Sequence, residues 1–178
     1  MEKYLRTQRE LMYEGSIINV YQDTIEVPNG NIAKWDFIGH KGAAAVLSVD
    51  KDGKIILVKQ WRNALDRFTF EIPAGGLEVS KGETMIECAA RELEEETGYI
   101  SNNIEFLISL KTTVAFCNER IDVFFASQLQ KTKQNLDEDE NIEIFKFDIE
   151  DLLCKIRKGE IQDSKTVSAI LAYKAFYL

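Results

Sequence analysis

The pattern of hydrophobic and polar positions changes several times along this chain, and each change marks an element. Ser16 to Val27 (SIINVYQDTIEV) is rich in β-branched residues, Pro28-Asn29-Gly30-Asn31 is a turn signal, and Ala33 to Ile38 (AKWDFI) reads as the returning strand. Ala43 to Val49 reads as a buried-type apolar strand, and Asp50-Lys51-Asp52-Gly53 turns it into a hairpin partner, Lys54 to Trp61. Phe68 to Ile72 predicts another strand, ended by Pro73-Ala74-Gly75-Gly76. Further strands are expected over Ile104–Lys111, Ile121–Ala126 and Ile142–Phe147, and helices near Ile149–Lys158 and Lys165–Phe176.

Between these lies one strongly marked helix. Thr84 followed by Glu87 fits a capping box, and Gly98 stands where a left-handed C-terminal cap belongs. Ile86, Ala89, Ala90 and Leu93 share a face that is expected to pack inward. Arg91 to Tyr99 (RELEEETGY) places Glu92, Glu94, Glu95 and Glu96 within five consecutive positions. At ~3.6 residues per turn, Glu92 and Glu96 lie about 40° apart, with Glu95 about 60° to the other side of Glu92. Like charges at this spacing weaken an isolated helix by a few tenths of a kcal/mol per pair. The helix either solvates them or holds cations between them.

Strands and helices intermix, which predicts an α/β fold with a mixed sheet between helical layers. Residues 1–40 form a strand-rich module too small to bury a core alone, and residues 41–178 form the main domain. Composition narrows the chemistry. The 178 residues carry a net charge of −8 with no basic run longer than a pair, so nucleic-acid backbone is not an expected partner. An acidic protein acting on an anionic substrate needs metal to bridge the two. Cys88, Cys117 and Cys154 are widely spaced and His40 is the single histidine, which excludes a Cys/His zinc site and leaves reduced thiols of a cytoplasmic protein as the expectation. His40, beside Gly42 and an apolar strand, is expected to be structural. No apolar run approaches ~18 residues, so no membrane span is expected.

The acidic helix resembles the Nudix box: seven residues separate Glu83 from Arg91, and RELEEETGY fits each remaining position of that pattern. The resemblance implies an α/β/α sandwich and a hydrolase that cleaves nucleoside diphosphates linked to another moiety. It implies a metal shell of Glu92, Glu95, Glu96 and the carbonyl of Ala74, filled by Mg²⁺ or, as a substitute, Mn²⁺. Arg91 is expected to orient Glu95 through a bidentate pair. One departure is visible: six residues, not five, separate Gly76 from Glu83. The extra residues precede the helix cap, so they lengthen a loop without rotating the carboxylates.

A looser resemblance to the ADP-ribose pyrophosphatase branch covers most of the chain. It implies cleavage of ADP-ribose to AMP and ribose 5-phosphate, and an acidic loop, Leu136 to Ile144 (LDEDENIEI), that supplies the general base. By position Glu138 is the first candidate, with Glu140 as second base or further metal ligand. On the substrate side the branch implies roles for Arg62 at phosphate or ribose, Glu119 near the terminal ribose, Glu71 at the base, and Lys34, Trp35 and Asp36 at the adenine. It also implies a homodimer in which that N-terminal strand crosses to the partner. Thr112-Thr113-Val114-Ala115 stands where ADP-ribose-hydrolysing relatives carry a proline. That leaves GDP-mannose or ADP-glucose as alternative substrates. A non-catalytic sensor of the same fold predicts eroded helix carboxylates, and here they are intact.

Overall fold

A computed structural model describes residues 3–138 and 140–178, which fall into two compact units. The first comprises Met1–Gly42 with Lys111–Arg120, the second Ala43–Leu110 with Ile121–Leu178.

In the first unit, β1 (Leu5–Glu14), β2 (Asn19–Glu26) and β3 (Ile32–Gly39) form an antiparallel sheet in that order. The turn at Pro28–Asn31 joins β2 to β3 as expected, with Gly30 at φ 84°. The strand β1 is an addition to the sequence expectations. All ten of its residues are exposed, so it has no buried face and no alternation to read. Long-range pairing holds it instead: it follows β2 through two register irregularities, and Arg9 donates from Nε and Nη2 to the two carboxylate oxygens of Asp23, each at 2.6 Å.

The second unit is built on β4 (Ala43–Val49), β5 (Ile55–Arg62), β6 (Arg67–Glu71), β7 (Ala74–Gly76), the helix α1 (Met85–Thr97), β8 (Tyr99–Ile100), β9 (Asn103–Lys111), β10 (Arg120–Ser127), β11 (Gln130–Lys131) and β12 (Glu143–Phe147), followed by α2 (Ile149–Arg157) and α3 (Ser164–Tyr177). Its main sheet runs β12-β5-β4-β10-β9, with β6 paired to β5 and β7 to β4. The sheet is mixed, because β4 is parallel to β10 and antiparallel to β5 and β7.

The pleat of β4 separates two cores. Ala43, Ala45, Leu47 and Val49 belong with Leu152, Ile161, Ala169 and Ile170 of the α2–α3 side, while Ala44 and Val46 belong with Cys88, Ala89 and Leu93 of α1. The sheet is thus covered by helices on both faces, the expected α/β/α sandwich. Both faces being covered explains why β4 is apolar at all positions but Ser48 rather than alternating. Each large aliphatic side chain buried here contributes about 1.5–3 kcal/mol.

The helix ends also match. Thr84 and Glu87 form the reciprocal capping box, and Gly98 closes the helix at φ 64°. One position differs. Ile86 is 44% exposed, and the inward face of α1 is Cys88, Ala89 and Leu93, with Met85 packed against it. Residue 86 shares a stripe with 89, 90 and 93, but it sits in the first turn, beyond the edge of the sheet's cover. The lengthened loop before the helix winds into one 3₁₀ turn at Val79–Lys81, and Gly82 ends it at φ 72°.

Candidate active site

The site grows from Arg91, on the first full turns of α1. Its Nε and Nη2 form a fork on Glu83, at 2.7 Å to Oε1 and 3.2 Å to Oε2. Its Nη1 donates to Glu92 Oε1 at 2.6 Å and to Glu95 Oε2 at 2.8 Å, and Nη2 reaches the carbonyl of Gly76 at 3.2 Å. Arg91 does pair with Glu95, but the bidentate partner is Glu83, eight residues upstream. Glu83 in turn accepts the backbone N–H of Glu78 at 2.9 Å, which ties the lengthened loop to the helix. The fork holds the Glu83 carboxyl below the ordinary carboxylate range, and the three carboxylates push the guanidinium the other way.

The four clustered glutamates are therefore not alike. Glu94 is exposed, Glu95 is half-buried, and Glu92 and Glu96 are 8% and 2% exposed. Glu92 and Glu96 are thus withdrawn from solvent, and only Glu94 of the four is a freely solvated carboxylate. Burial raises both carboxyls; Glu92 and Glu140 raise Glu96 further, to about 8. The Ala74 backbone works weakly the other way, and Glu96 Oε2 is buried without a hydrogen-bond partner. Gly75 makes this close packing possible, because a Cβ there would lie 1.9 Å from Glu92 Oε1. The thiol of Cys88, against the Gly75 and Gly76 carbonyls, is pushed up to about 12 by burial and by Glu83, which suits packing rather than nucleophilic chemistry.

A cavity of about 290 Å³ opens over this helix face, lined by Ala74, Gly75, Glu92 and Glu95 on one side and by Asp137 and Glu140 on the other. The acidic loop thus does reach the helix. Glu140 lines the cavity and Glu138 does not; Glu138 sits in an exposed turn. Asp137 and Glu140 fix one another, the Glu140 N–H donating to Asp137 O at 3.1 Å and the Asp137 N–H to Glu140 Oε2 at 3.3 Å.

The donors fit a hard divalent cation: all are oxygens, one is an unpartnered buried carboxylate oxygen, and two carboxyls have proton affinity raised by burial and then by neighbouring carboxylates. Among the described residues, no three His, Cys, Asp or Glu side chains stand as a ready-made ligand cage. Arg91 holds Glu92 and Glu95 in its place, and such an ion keeps several waters, so a few carboxylates suffice.

A second charged cluster lies in the same unit. Arg62 donates to both oxygens of Glu71, at 2.7 and 2.6 Å, and the Thr69 hydroxyl adds 2.6 Å to Oε1. The two residues expected to touch different parts of a substrate thus bind each other. Lys165, only 7% exposed, donates to Glu71 and, at 3.0 Å, to Asp163, which caps α3. Burial alone would raise the Glu71 carboxyl, yet Arg62 and Lys165 bring it down to about 2. The sequence reading missed Lys165. A signal was present: a lysine in the first turn of a helix opposes the helix dipole and requires nearby carboxylates.

The remaining candidates belong to the first unit. Lys34, Trp35 and Asp36 lie exposed on β3, and Trp35 lines an open concavity of about 720 Å³ with Ile38 and Phe116. Glu119 accepts from the Thr112 hydroxyl at 2.5 Å and lies 3.5 Å from His40 Nε2. The His40 Nδ1 accepts the Gly42 N–H at 3.0 Å, and its own N–H donates to Asn118. His40 is thus engaged locally, as expected.

Residues 39–170 match the NUDIX domain family. The chain is 42% identical over 164 residues to an ADP-ribose pyrophosphatase of Bacillus subtilis (strain 168), spanning 91% of this chain and 88% of the relative. It is 40% identical over 172 residues to a methanol dehydrogenase activator of Bacillus methanolicus, spanning 95% and 90%. A crystal structure of an ADP compounds hydrolase superposes with a TM-score of 0.87 over 99% of this chain and 95% of that one, at 20% identity, a likeness of fold.

Proposed function

The chain belongs to the NUDIX domain family, and on that premise we propose that it hydrolyses a nucleoside diphosphate linked to a second moiety, with ADP-ribose, split to AMP and ribose 5-phosphate, as the leading substrate. One observation carries the reading: a buried carboxylate oxygen of Glu96 without a partner, one helical turn from Glu92, which lines an acid-walled cavity. Hydrolases of this family generally need divalent metal ions. Glu92, Glu95, Glu96 and the Ala74 carbonyl would hold Mg²⁺, with Mn²⁺ as substitute. Bound there, the ion neutralises diphosphate charge and lowers the pKa of an attacking water.

The chain's own residues supply the rest. Arg91 keeps Glu83, Glu92 and Glu95 in register on one face. Glu140 takes the proton of the water as its oxygen bonds to phosphorus, and the bridging phosphoanhydride P–O bond breaks with its electron pair going to the departing phosphate. Glu140 is preferred to Glu138 as base because it lines the cavity. Arg62 has donors left for a phosphate, since Glu71 is shared with Lys165 and the Arg62 side chain is 40% exposed. Lys34, Trp35 and Asp36 are assigned to the adenine and Glu119 to the terminal ribose. The relatives named for ADP-ribose support that substrate over GDP-mannose or ADP-glucose.

The test is hydrolysis of ADP-ribose, ADP-glucose and GDP-mannose with Mg²⁺ and Mn²⁺, with products identified. ADP-ribose is expected to be cleaved fastest, and cleavage of none of the three sinks the reading. Glu140→Gln is expected to lower kcat about 10²–10⁴-fold, and Glu138→Gln by less than about ten-fold. The exposed strand β1, with Leu5, Leu11, Met12 and Tyr13 unburied, supports a homodimer through the first unit, because an unpaired strand edge invites a partner; sedimentation equilibrium decides it. Three free cysteines support a cytoplasmic location. Among the described residues, no helix is long and apolar enough to cross a membrane.

A further inference from the structure

The acidic loop is anchored to the acidic helix by hydrogen bonds within the chain. An α-helix leaves its last carbonyls, roughly four, without intrahelical partners. In α1 the Glu94 carbonyl accepts the Gly98 N–H at 2.8 Å, closing the helix. The Glu95 and Glu96 carbonyls, and that of the capping Gly98, are taken by the segment that leads into the acidic loop. The Thr132 N–H donates to Gly98 O at 2.7 Å and the Asn135 N–H to Glu95 O at 2.9 Å. Between them, the amide Nε2 of Gln134 donates to Glu96 O at 2.7 Å and to Ile142 O at 3.3 Å. That one side chain therefore holds the end of the helix and the far end of the acidic loop together.

Gly98 is the floor of this arrangement. Its φ of 64° is the left-handed cap, but a second constraint acts on the same residue. A Cβ there would stand 2.7 Å from the backbone N of Gln134 and 3.1 Å from the carbonyl carbon of Lys133. These are backbone atoms, so any side chain at position 98 lifts the loop's stem off the helix. Beyond the stem stand Asp137 and Glu140, which line the cavity opposite Glu92 and Glu95.

We propose that Gln134 is a positioning residue of the hydrolytic site: its backbone sits over Gly98, and its side-chain amide bridges the Glu96 and Ile142 carbonyls and so holds Glu140 in register with the helix carboxylates. The inference rests on the hydrolase reading. It adds a residue that touches neither substrate nor metal and acts through the placement of Glu140.

Gln134→Glu is the decisive variant, because it keeps the shape and replaces both N–H donors with an acceptor facing two carbonyls. Gln134→Ala serves as the second variant if the new carboxylate perturbs the site's charge. The expected result is hydrogen exchange at the Asn135 and Glu140 amides faster by about ten-fold, with the amides of the α1 interior unchanged. For ADP-ribose with Mg²⁺, kcat is expected to fall by about ten-fold or more while KM stays within about two-fold. The thermal midpoint should barely move. Unchanged exchange together with unchanged kcat in both variants overturns the proposal. So does a kcat loss matched by a general rise in exchange throughout α1, which marks ordinary destabilisation. If the unaltered protein cleaves none of the diphosphates while exchange in the variants still rises, the hydrolase reading falls and the loop anchor stands.

Discussion

Two buried clusters in the same unit are built from the same materials and end with opposite properties. Around Arg91, one guanidinium faces Glu83, Glu92 and Glu95, with Glu96 close by. Around Glu71, one carboxylate faces two cations, Arg62 and Lys165, with Asp163 completing the balance. The protein saturates Glu71 and holds its carboxyl at about 2. It leaves Glu96 short of partners, and its carboxyl stands at about 8. A charge that is satisfied internally stiffens the fold; a charge left in deficit waits for something from outside. Of the two, it is the Arg91 cluster that opens onto a cavity.

Substitutions that exchange these roles separate the two clusters. The largest effect is expected for Glu96→Gln, which should lower kcat/KM about 10²–10³-fold in steady-state hydrolysis, the scale of losing a group that stabilises charge in the transition state. Its metal-free thermal midpoint should not fall, because the variant removes a buried carboxyl that crowding already opposes. A fall in both would make Glu96 structural and erase the contrast.

Acid should act on the other cluster. Glu71 drops from an ordinary 4.5 to about 2 in the folded protein, so its contribution is complete above about pH 4.5 and is lost as pH falls through about 2. A shift of that size corresponds to about 3 kcal/mol, and chemical denaturation across that window should show a shallower loss in Glu71→Gln. Somewhat smaller is Lys165→Met, expected to cost about 1.5–3 kcal/mol, since Glu71 keeps Arg62 when the ammonium is removed. Smallest is the effect of metal on stability. Mg²⁺ at about ten times its dissociation constant should stabilise by about 1.4 kcal/mol, raising the melting midpoint by roughly 3–6 °C. Chelation should reverse the rise, and Glu96→Gln should lack it. A rise of equal size in that variant would move the cation elsewhere.

What could be read beforehand follows the range of the interactions. The helix and both its ends were legible, because Thr84, Glu87 and Gly98 act within a few residues of one another. So were β4 as a strand buried on both faces and the mixed sheet it centres. The strand β1 was not, since a strand with no buried face leaves no period in its sequence. Ile86 was placed on the inward face by its angle on the helix, but angle says nothing of how far the covering sheet extends. Arg62 and Glu71 were singled out individually, while their mutual engagement required β5 and β6 to be side by side.

By itself, the sequence determined that four carboxylates would share a capped helix with Arg91; that Glu83 is the bidentate partner of Arg91 came from the tertiary structure. Helical spacing and capping are local, so residue order suffices to set them. Tertiary structure decided which of those carboxylates are buried, that Gly75 packs against Glu92, that Glu140 rather than Glu138 lines the cavity, and that Lys165, 94 residues away, neutralises Glu71. Each of these depends on burial and on the meeting of segments far apart in the chain, and electrostatic cost in a protein is set by what surrounds a charge in space.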